Sequence, residues 1–197
     1  MIIGPDFIWL HFPKCGGTSV EAALRKVYGR DERVAFDPID LTNVIWHQSI
    51  AERGKQDPSF NPEGKRLVCC IRRLPHWLLS RIHFEVWRSP TLVPSRENLI
   101  KGRFYESGGF LGSADAVFRR YNSPAVDDWI RVEHLSEDFS RIFQVENFTV
   151  PIVNEAKIFF VKSLSFWFTA DDLRQLYEAN PKWAELEQSI YGNLLTV

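Results

Sequence analysis

Short apolar runs alternate with amphipathic stretches along most of this chain. Residues 6–12 (DFIWLHF) and 66–71 (RLVCCI) have the length and composition of buried strands, and WIRVE at 129–133 predicts a third. The first run leads through a glycine turn into residues 18–29, and the second leads into residues 75–87; both of these segments have apolar side chains at helical spacing. Strands that alternate with helices in this way predict an α/β protein with a mainly parallel sheet.

Residues at the ends of the predicted helices have the chemistry of helix caps. Thr18 or Ser19 can accept a hydrogen bond from a first-turn N–H group of the first helix, and Gly29 can close that helix. Residues 169–192 form another helical pattern, with Thr169 as the candidate N-cap. These signals predict where the helices begin and end.

Two further segments are less regular. Residues 40–54 predict a short strand followed by a helix. Residues 88–113 are rich in turn-forming and charged side chains, which predicts a surface excursion that serves as a substrate loop. The sequence contains no internal repeat or low-complexity tract, so we expect a single domain over residues 1–197.

Composition and charge narrow the class of protein. With 197 residues, 45% hydrophobic and 25% charged, the chain is long enough for a sizeable core and has a globular composition. A net charge of −1 argues against a nucleic-acid-binding protein. No apolar run is long enough to span a bilayer, and the first residues lack the basic region of a signal peptide. Three cysteines without metal-ligand or disulfide spacing, Cys15, Cys69 and Cys70, favour reduced thiols in the cytoplasm.

The stretch HFPKCGGTSV joins the first predicted strand to the first predicted helix. A helix N-terminus presents unpaired N–H groups and the positive end of the helix dipole to an anion. Gly16 and Gly17 allow the backbone to approach a phosphate closely. Thr18 and Ser19 add hydroxyl groups, and Lys14 adds a positive charge. The stretch therefore predicts a phosphate-binding loop.

The position of the lysine separates this loop from the common nucleotide loop. In G-x-x-x-x-G-K-[ST] the lysine follows the glycines, and the present sequence contains no GK[ST]. The order PKCGGTS, Pro13 to Ser19, instead resembles the 5′-phosphosulfate-binding loop of sulfotransferases, P-K-x-G-[GT]-T-S, without a gap. These enzymes transfer a sulfuryl group from 3′-phosphoadenosine 5′-phosphosulfate (PAPS) and release 3′-phosphoadenosine 5′-phosphate (PAP). The resemblance assigns binding of the donor to Lys14, Cys15, Gly16, Gly17, Thr18 and Ser19.

A second stretch, RRLPHWLLS, resembles the 3′-phosphate-binding element of the same family, written roughly R-[ND]-P-x-x-[RW]-x-x-S. Arg72 and Ser80 stand in register with the arginine and serine of that pattern. Leu74 stands where the family has proline, and Pro75 follows one residue late, so Arg73 competes with Arg72 for the phosphate. An arginine in either position can make charge-assisted contacts to a phosphate.

The resemblance also carries expectations for the whole chain. It implies a three-layer P-loop-like fold, with a central, mainly parallel sheet flanked by helices. Weaker similarity extends over nearly the full length, including residues 150–157, which resemble a loop where an asparagine and a lysine approach the cofactor. The two phosphate motifs are the specific part of the resemblance.

Sulfuryl transfer to a hydroxyl group needs a base for the hydroxyl proton, and histidine is the usual choice. The chain has five histidines: His11, His47, His76, His83 and His134. In the family, a catalytic histidine or acid often lies between the two phosphate motifs, and His47 is the histidine in that interval. Glu52 is the alternative base. No HExxH or similar spacing predicts a metal site.

The sequence thus favours a PAPS-dependent sulfotransferase in which Lys14 stabilises the leaving group and His47 is the general base. A small kinase with a nucleoside-triphosphate loop, or a non-catalytic nucleotide-binding module that kept the loop, is the alternative. The expected partner is a small-molecule or carbohydrate hydroxyl acceptor, and the oligomeric state stays open.

The acceptor is indicated only weakly by side chains in or beside the predicted excursion. Aromatic side chains there could stack on a sugar, an aromatic ring or a lipid tail, or could anchor the loop: Trp87, Phe104, Tyr105 and Phe110. The segment also carries a set of basic side chains that favour an anionic acceptor, although a solvated surface would explain them as well: Arg88, Arg96, Lys101 and Arg103.

Overall fold

A computed structural model describes residues 1–38, 44–106, 110–153 and 160–197. The chain divides into two compact units. Unit 1 comprises Met1–Ile71 and Tyr121–Glu155, and unit 2 comprises Arg72–Arg120 and Ala156–Val197. The single-domain organisation stays a prediction, and each unit is described in turn.

The strands of the described residues are short. In chain order they are β1 (Ile2–Ile3), β2 (Phe7–Leu10), β3 (Ala35–Phe36), β4 (Arg66–Ile71), β5 (Arg103–Tyr105), β6 (Leu111–Ser113) and β7 (Asp128–Arg131).

The helices of the described residues are α1 (Gly17–Tyr28), α2 (Ile50–Gln56), α3 (Leu74–Arg88), α4 (Arg96–Ile100), α5 (Ala114–Tyr121), α6 (Leu135–Phe143), α7 (Leu164–Trp167), α8 (Ala170–Ala179) and α9 (Pro181–Tyr191). Val44–His47 and Val132–His134 are short 3-10 helices.

Unit 1 contains a mixed five-stranded sheet in the order β3-β1-β2-β4-β7. β2, β4 and β7 are parallel neighbours, with Leu10 opposite Cys69 and Cys69 opposite Trp129. β1 pairs antiparallel with both β2 and β3, so the sheet is mixed where the sequence predicted a mainly parallel one. The α/β class and the central sheet with helices are confirmed. The carboxyl ends of β2 and β4 lie at the same edge of the sheet, where ligands of α/β proteins usually bind.

The core of unit 1 is built from the apolar runs that predicted the strands. All four residues of β2 are buried, as are the last five of β4. Phe7 of β2 contacts Tyr28 of α1 and Phe143 of α6, with ring centroids 5.5 and 5.2 Å apart. Both helices therefore pack on the sheet next to β2.

One boundary prediction in unit 1 is wrong, and a second, for the segment 40–54, is tested only over residues 44–54. α1 begins at Gly17 with Gly16 as its N-cap and without a side-chain cap, so neither Thr18 nor Ser19 caps it. The left-handed conformation of Gly16 starts the helix earlier than a hydroxyl cap would. Within the segment 40–54, Val44–His47 is a 3-10 helix rather than a strand, α2 follows as expected, and residues 40–43 lie outside the described residues.

Unit 2 packs around tryptophans that the sequence placed in helices. Trp77 of α3 contacts Trp183 of α9 at 4.6 Å and Phe104 of β5 at 5.3 Å between ring centroids, and all three side chains are buried. Thr169 caps α8 through a capping box with Asp172, as the sequence predicted.

The predicted excursion at 88–113 has structure of its own. It contains α4 and the antiparallel pair β5–β6, and residues 107–109 lie outside the described residues. Phe104 is buried and belongs to the core, whereas Trp87 and Phe110 are exposed. No helix within the described ranges is long and apolar enough to cross a membrane.

Candidate functional site

The predicted phosphate loop connects β2 to α1 in unit 1. After Leu10 the chain runs through six residues, from His11 to Gly16, and enters the helix at Gly17. Lys14 has φ of 65° and Gly16 has φ of 69°, so two residues of the loop adopt the left-handed conformation. This conformation is uncommon for a lysine, and such strain concentrates at functional sites.

Glycine is required at residues 16 and 17 for different structural reasons. A side chain at Gly16 would meet Leu135 and Val132 at ordinary contact distances of 3.6–3.7 Å, so its positive φ is the requirement there. A Cβ atom at Gly17 would lie 2.1 Å from Cδ2 and Nε2 of His11. Gly17 is therefore needed because the imidazole ring of His11 packs directly against its backbone.

The loop rests on the connection between β7 and α6. Arg131 donates to the buried Asp138 from its backbone N, Nε and Nη2, each at 2.8 Å. Although burial raises the pKa of Asp138, the hydrogen bonds from Arg131 bring it below its ordinary value. Val132 and Leu135, which lie between these two residues in the chain, are the nearest neighbours of the Cβ position of Gly16. The ion pair thus fixes the segment that packs against the loop.

The six residues assigned to donor binding differ in exposure. Lys14, Gly16 and Thr18 are partly exposed, whereas Cys15, Gly17 and Ser19 are buried, so the residues alternate between the surface and the core. Cys15 has 0% exposure, so its thiol belongs to the core. The exposed face of the loop is therefore formed by a lysine, a glycine and a threonine.

Ser19 has a structural role. Its hydroxyl donates to the carbonyl oxygen of Val153 at 3.2 Å and accepts from the N–H of Val153 at 3.0 Å. These bonds fasten residue 153, which precedes the predicted cofactor-contacting residues Asn154 and Lys157; those two lie outside the described residues. The assignment of Ser19 to the donor phosphate stays a prediction.

The N-terminus of α1 has the electrostatics of an anion site. The N–H groups of Ser19 and Val20 donate to the carbonyl of Gly16, whereas those of Gly17 and Thr18 make no backbone hydrogen bond within the described residues. The first turn of the helix contains no acidic residue. Two helix-end N–H groups and a nearby lysine can together hold a phosphate-sized anion.

His47 lies beside this loop. Its Nδ1 donates a hydrogen bond of 2.9 Å to the carbonyl oxygen of His11, and the two imidazole rings are 4.5 Å apart. Because a carbonyl oxygen only accepts, Nδ1 carries the proton and the neutral ring has its lone pair on Nε2. The hydroxyl of Tyr121 donates to the carbonyl oxygen of His47, which fixes the backbone of that residue. His47 thus has a fixed tautomer and a fixed backbone.

His11 is the residue that connects His47 to the loop. It is 4% exposed, and its ring contacts Trp9, Trp46 and His47 at 5.1, 4.6 and 4.5 Å between centroids. Burial lowers the pKa of His11 well below its ordinary value, and the neighbouring His47 lowers it further. His11 is therefore neutral at neutral pH and serves as a rigid spacer between His47 and Gly17.

Glu52, the alternative base, caps α2. Its Oε2 accepts from the N–H and the hydroxyl of Ser49 at 2.8 and 2.9 Å, and its own N–H donates to Oγ of Ser49. This reciprocal pair is a capping box. These bonds give Glu52 a structural role at the start of α2, so the contacts favour His47.

Comparison with known proteins gives no match. No family model matches the chain, and neither a curated protein nor a solved structure matches it significantly.

The second phosphate motif belongs to unit 2. Arg72 directly follows β4 in the chain, and Ser80 lies in the second turn of α3, where it is half-buried. Nε of Arg72 is buried and has no hydrogen-bond partner among the described residues. A guanidinium with a buried, unsatisfied N–H group is suited to an anion, because such a group is costly to leave unpaired.

Arg73 is engaged within unit 2. It donates to Oε1 of Glu187 at 3.3 Å and to the backbone and side-chain oxygens of Asn193 at 2.6 and 2.8 Å, and it lies 4.0 Å above the ring of Tyr191. Of the two arginines that compete for the motif, Arg73 has local partners that an anion would have to displace. These contacts favour Arg72.

A buried carboxylate occupies the N-terminus of α3. Oε2 of Glu187 accepts from the N–H of Leu74 at 2.7 Å, and Oε1 accepts from the hydroxyl of Tyr177 at 2.8 Å. Burial raises the pKa of Glu187, although the hydrogen bonds from Leu74, Tyr177 and Arg73 oppose the rise. An anion at this junction would therefore be held by the side chain of Arg72 rather than by the helix end.

Sequence reasoning missed two residues of these sites, Tyr121 and Glu187. It also did not predict the contact of the His11 ring with Gly17, because only the folded loop brings these residues together. Tyr121 and Glu187 are distant in sequence from the groups that they bind. Among the described residues, no group of three or more His, Cys, Asp or Glu side chains is placed to hold a metal ion.

Proposed function

We propose that the protein is a sulfotransferase that moves the sulfuryl group of PAPS to a hydroxyl acceptor. The observation that carries the proposal is the junction of β2 with α1. There a left-handed lysine and a left-handed glycine, both partly exposed, precede a helix N-terminus, and a histidine with a fixed tautomer lies beside the loop. The finer fold assignment, a three-layer P-loop-like architecture, belongs to the same proposal.

The loop would hold the phosphosulfate end of the donor. The N–H groups of Gly17 and Thr18 would contact the 5′-phosphate, and the hydroxyl of the half-buried Thr18 would add a further donor. Lys14 would lie close to the oxygen that bridges phosphorus and sulfur. A cation at that position stabilises the charge that develops on the leaving group, which is the usual main source of catalysis in transfers of this kind.

His47 would accept the proton of the acceptor. The bond between sulfur and the bridging oxygen breaks, a bond from sulfur to the acceptor oxygen forms, and the acceptor proton moves to Nε2 of His47. PAP leaves with the electron pair of the broken bond. Nδ1 stays bonded to the carbonyl oxygen of His11, so the imidazolium that forms keeps one hydrogen bond throughout.

The 3′-phosphate is assigned to Arg72, with Ser80 as a second donor. This part of the proposal rests on the sequence motif and on the surroundings of Arg72 within unit 2. Its buried, unsatisfied Nε provides the charge-assisted donor that a phosphate requires. Arg73, which is bound to Glu187 and Asn193, does not take this role in the proposal.

Calorimetry with three nucleotides tests the proposal without knowledge of the acceptor. PAP should bind the wild-type protein at least tenfold more tightly than AMP, because a charge-assisted contact contributes about 1.5–3 kcal/mol. ATP with magnesium should bind no better than AMP. Preference for ATP would instead favour the kinase, and equal binding of all three would contradict a PAPS-dependent enzyme.

Transfer itself requires a separate assay. Labelled sulfuryl donor incubated with a panel of sugars, phenols and aliphatic alcohols should yield a labelled ester and PAP in equal amounts. Tight PAP binding without any transfer across the panel, and with the same result for His47→Ala, would favour the non-catalytic nucleotide-binding module.

A further inference from the structure

The C-terminal helix α9 holds the backbone on both sides of Arg73. Nε1 of Trp183 donates to the carbonyl oxygen of Arg72 at 3.2 Å, and Oε2 of Glu187 accepts from the N–H of Leu74 at 2.7 Å. These two side chains lie one helical turn apart on α9. The segment that carries Arg72 is therefore fixed at two successive peptide units.

Both contacts come from a rigid part of unit 2. Trp183 and Glu187 are each 0% exposed, and the indole of Trp183 packs against Trp77 at 4.6 Å and Phe118 at 5.8 Å between centroids. The N-terminus of α9 is itself held by Asp115, whose Oδ1 accepts from the N–H of Trp183 at 2.9 Å. Side chains with so little freedom can fix the direction of a neighbouring residue.

The same carboxylate distinguishes the two adjacent arginines. Glu187 pairs with the guanidinium of Arg73 and neutralises its charge, whereas Nε of Arg72 has no partner among the residues that the structure describes. The contacts of α9 with this segment thus engage the side chain of Arg73 and, at Arg72, the backbone carbonyl oxygen.

We infer that Glu187 and Trp183 are positioning residues that hold Arg72 where it binds the 3′-phosphate. The inference rests on the proposed function and names the residues that give that site its preference for PAP over AMP. It makes α9 part of substrate selection although neither side chain touches the nucleotide.

The experiment measures the ratio of the dissociation constants of AMP and PAP by calorimetry on the full chain. Trp183→Phe removes the N–H bond to Arg72 and keeps an aromatic ring in the core. Glu187→Gln keeps an oxygen for the N–H of Leu74 but loses the charge that neutralises Arg73, and Glu187→Leu loses both. Asp172→Asn is the matched control, because Asp172 is a buried carboxylate cap of α8 in the same unit and its hydrogen bonds join Thr169 and Arg96 rather than α9 or residues 72–74.

We expect the AMP-to-PAP ratio to fall about threefold to tenfold in Trp183→Phe and Glu187→Gln, and to near one in Glu187→Leu. AMP binding should stay unchanged, and Asp172→Asn should keep the wild-type ratio at a similar loss of thermal stability. A wild-type protein that does not distinguish PAP from AMP would overturn the proposed function, and this inference with it. Wild-type selectivity that persists in folded Trp183→Phe and Glu187→Gln would overturn the positioning role alone. Equal loss of the ratio in Asp172→Asn would overturn it too, because general loosening of unit 2 would then account for the effect.

Discussion

His47 donates a hydrogen bond from Nδ1 to the carbonyl oxygen of His11, 2.9 Å away, at the first residue of the loop that follows strand β2. The bond joins the candidate base to the backbone of the loop that contains Lys14. It also determines which nitrogen of His47 can accept a proton. The predictions below follow from this junction and from the surroundings of Arg72.

His47→Ala should lower turnover by roughly 10²–10⁴, the usual contribution of a general base. PAP affinity should change little, because Nε2 is assigned to the acceptor. Glu52→Gln is the comparison: it should lower the free energy of unfolding by about 1 kcal/mol through the capping box and leave turnover near wild type. If Glu52→Gln abolishes transfer and His47→Ala does not, the base is Glu52.

Gly17→Ala should lower the free energy of unfolding by about 1–3 kcal/mol, because its Cβ would overlap the buried ring of His11. Gly54→Ala is the matched control. Gly54 lies in α2 with open space around its Cβ position, so alanine there should be neutral or stabilising by up to about 1 kcal/mol.

Urea denaturation measures both variants of this pair, and a double variant tests the cause. In the background of His11→Ala, the added cost of Gly17→Ala should shrink, since the overlapping ring is gone. The same cost in both backgrounds would mean that the ring of His11 is not what excludes a side chain at residue 17.

Lys14→Gly should be more stable than Lys14→Ala by about 1–2 kcal/mol, because glycine adopts the left-handed conformation without steric cost. Both variants should lose transfer by orders of magnitude, since both lack the cation. Gln144, at the end of α6, also has a positive φ, of 55°, and provides the control. Gln144→Gly should likewise be more stable than Gln144→Ala.

Thermal denaturation and the labelled-donor assay are needed together here. If Lys14→Gly is more stable than Lys14→Ala and both variants lose transfer, then the left-handed backbone at residue 14 is strained and the lysine is needed there for function. Equal stability of Lys14→Gly and Lys14→Ala would refute the strain, and near-wild-type turnover in either would remove Lys14 from the mechanism.

Arg72→Ala should abolish the preference for PAP over AMP at little cost in stability. Arg73→Ala should do the reverse: it should lower the free energy of unfolding by about 1.5–3 kcal/mol, since it removes the charged partner of Glu187, and keep a preference for PAP. Selectivity lost at Arg73→Ala but kept at Arg72→Ala would move the 3′-phosphate to Arg73.

The pH dependence of stability should include a contribution from His11. Its pKa is lowered in the folded protein, so below the ordinary value of about 6.5 the unfolded chain binds more protons than the folded one. The stability that neutral His11 provides is fully present above that pH and is lost as the pH falls toward the lowered folded value. Wild-type protein should therefore lose stability between about pH 7.5 and pH 5.

His11→Gln should show a smaller loss over that range. The measurement is the urea midpoint at several pH values. Parallel curves for wild type and His11→Gln would contradict a buried, neutral His11.

Local sequence determined the elements and the chemistry of the loop. The apolar runs at β2 and β4 predict buried strands because their side chains must leave water, and the glycine pair with a lysine predicts an anion loop because few residue types permit that backbone. Thr169 predicts the start of α8 from local sequence as well, because its hydroxyl accepts a hydrogen bond from an N–H group only three residues away.

Tertiary packing decided which of the candidate residues have local partners. The sequence allowed Arg72 or Arg73, and His47 or Glu52. The contacts that favour Arg72 and His47 are those of Arg73 with Glu187, 114 residues away, of His47 with His11, and of Glu52 with Ser49. The helix cap moved to Gly16, and Gly17 proved necessary because the ring of His11 occupies the space of its side chain. Such contacts depend on three-dimensional distance between groups remote along the chain, and periodicity and local propensity carry no information about that distance.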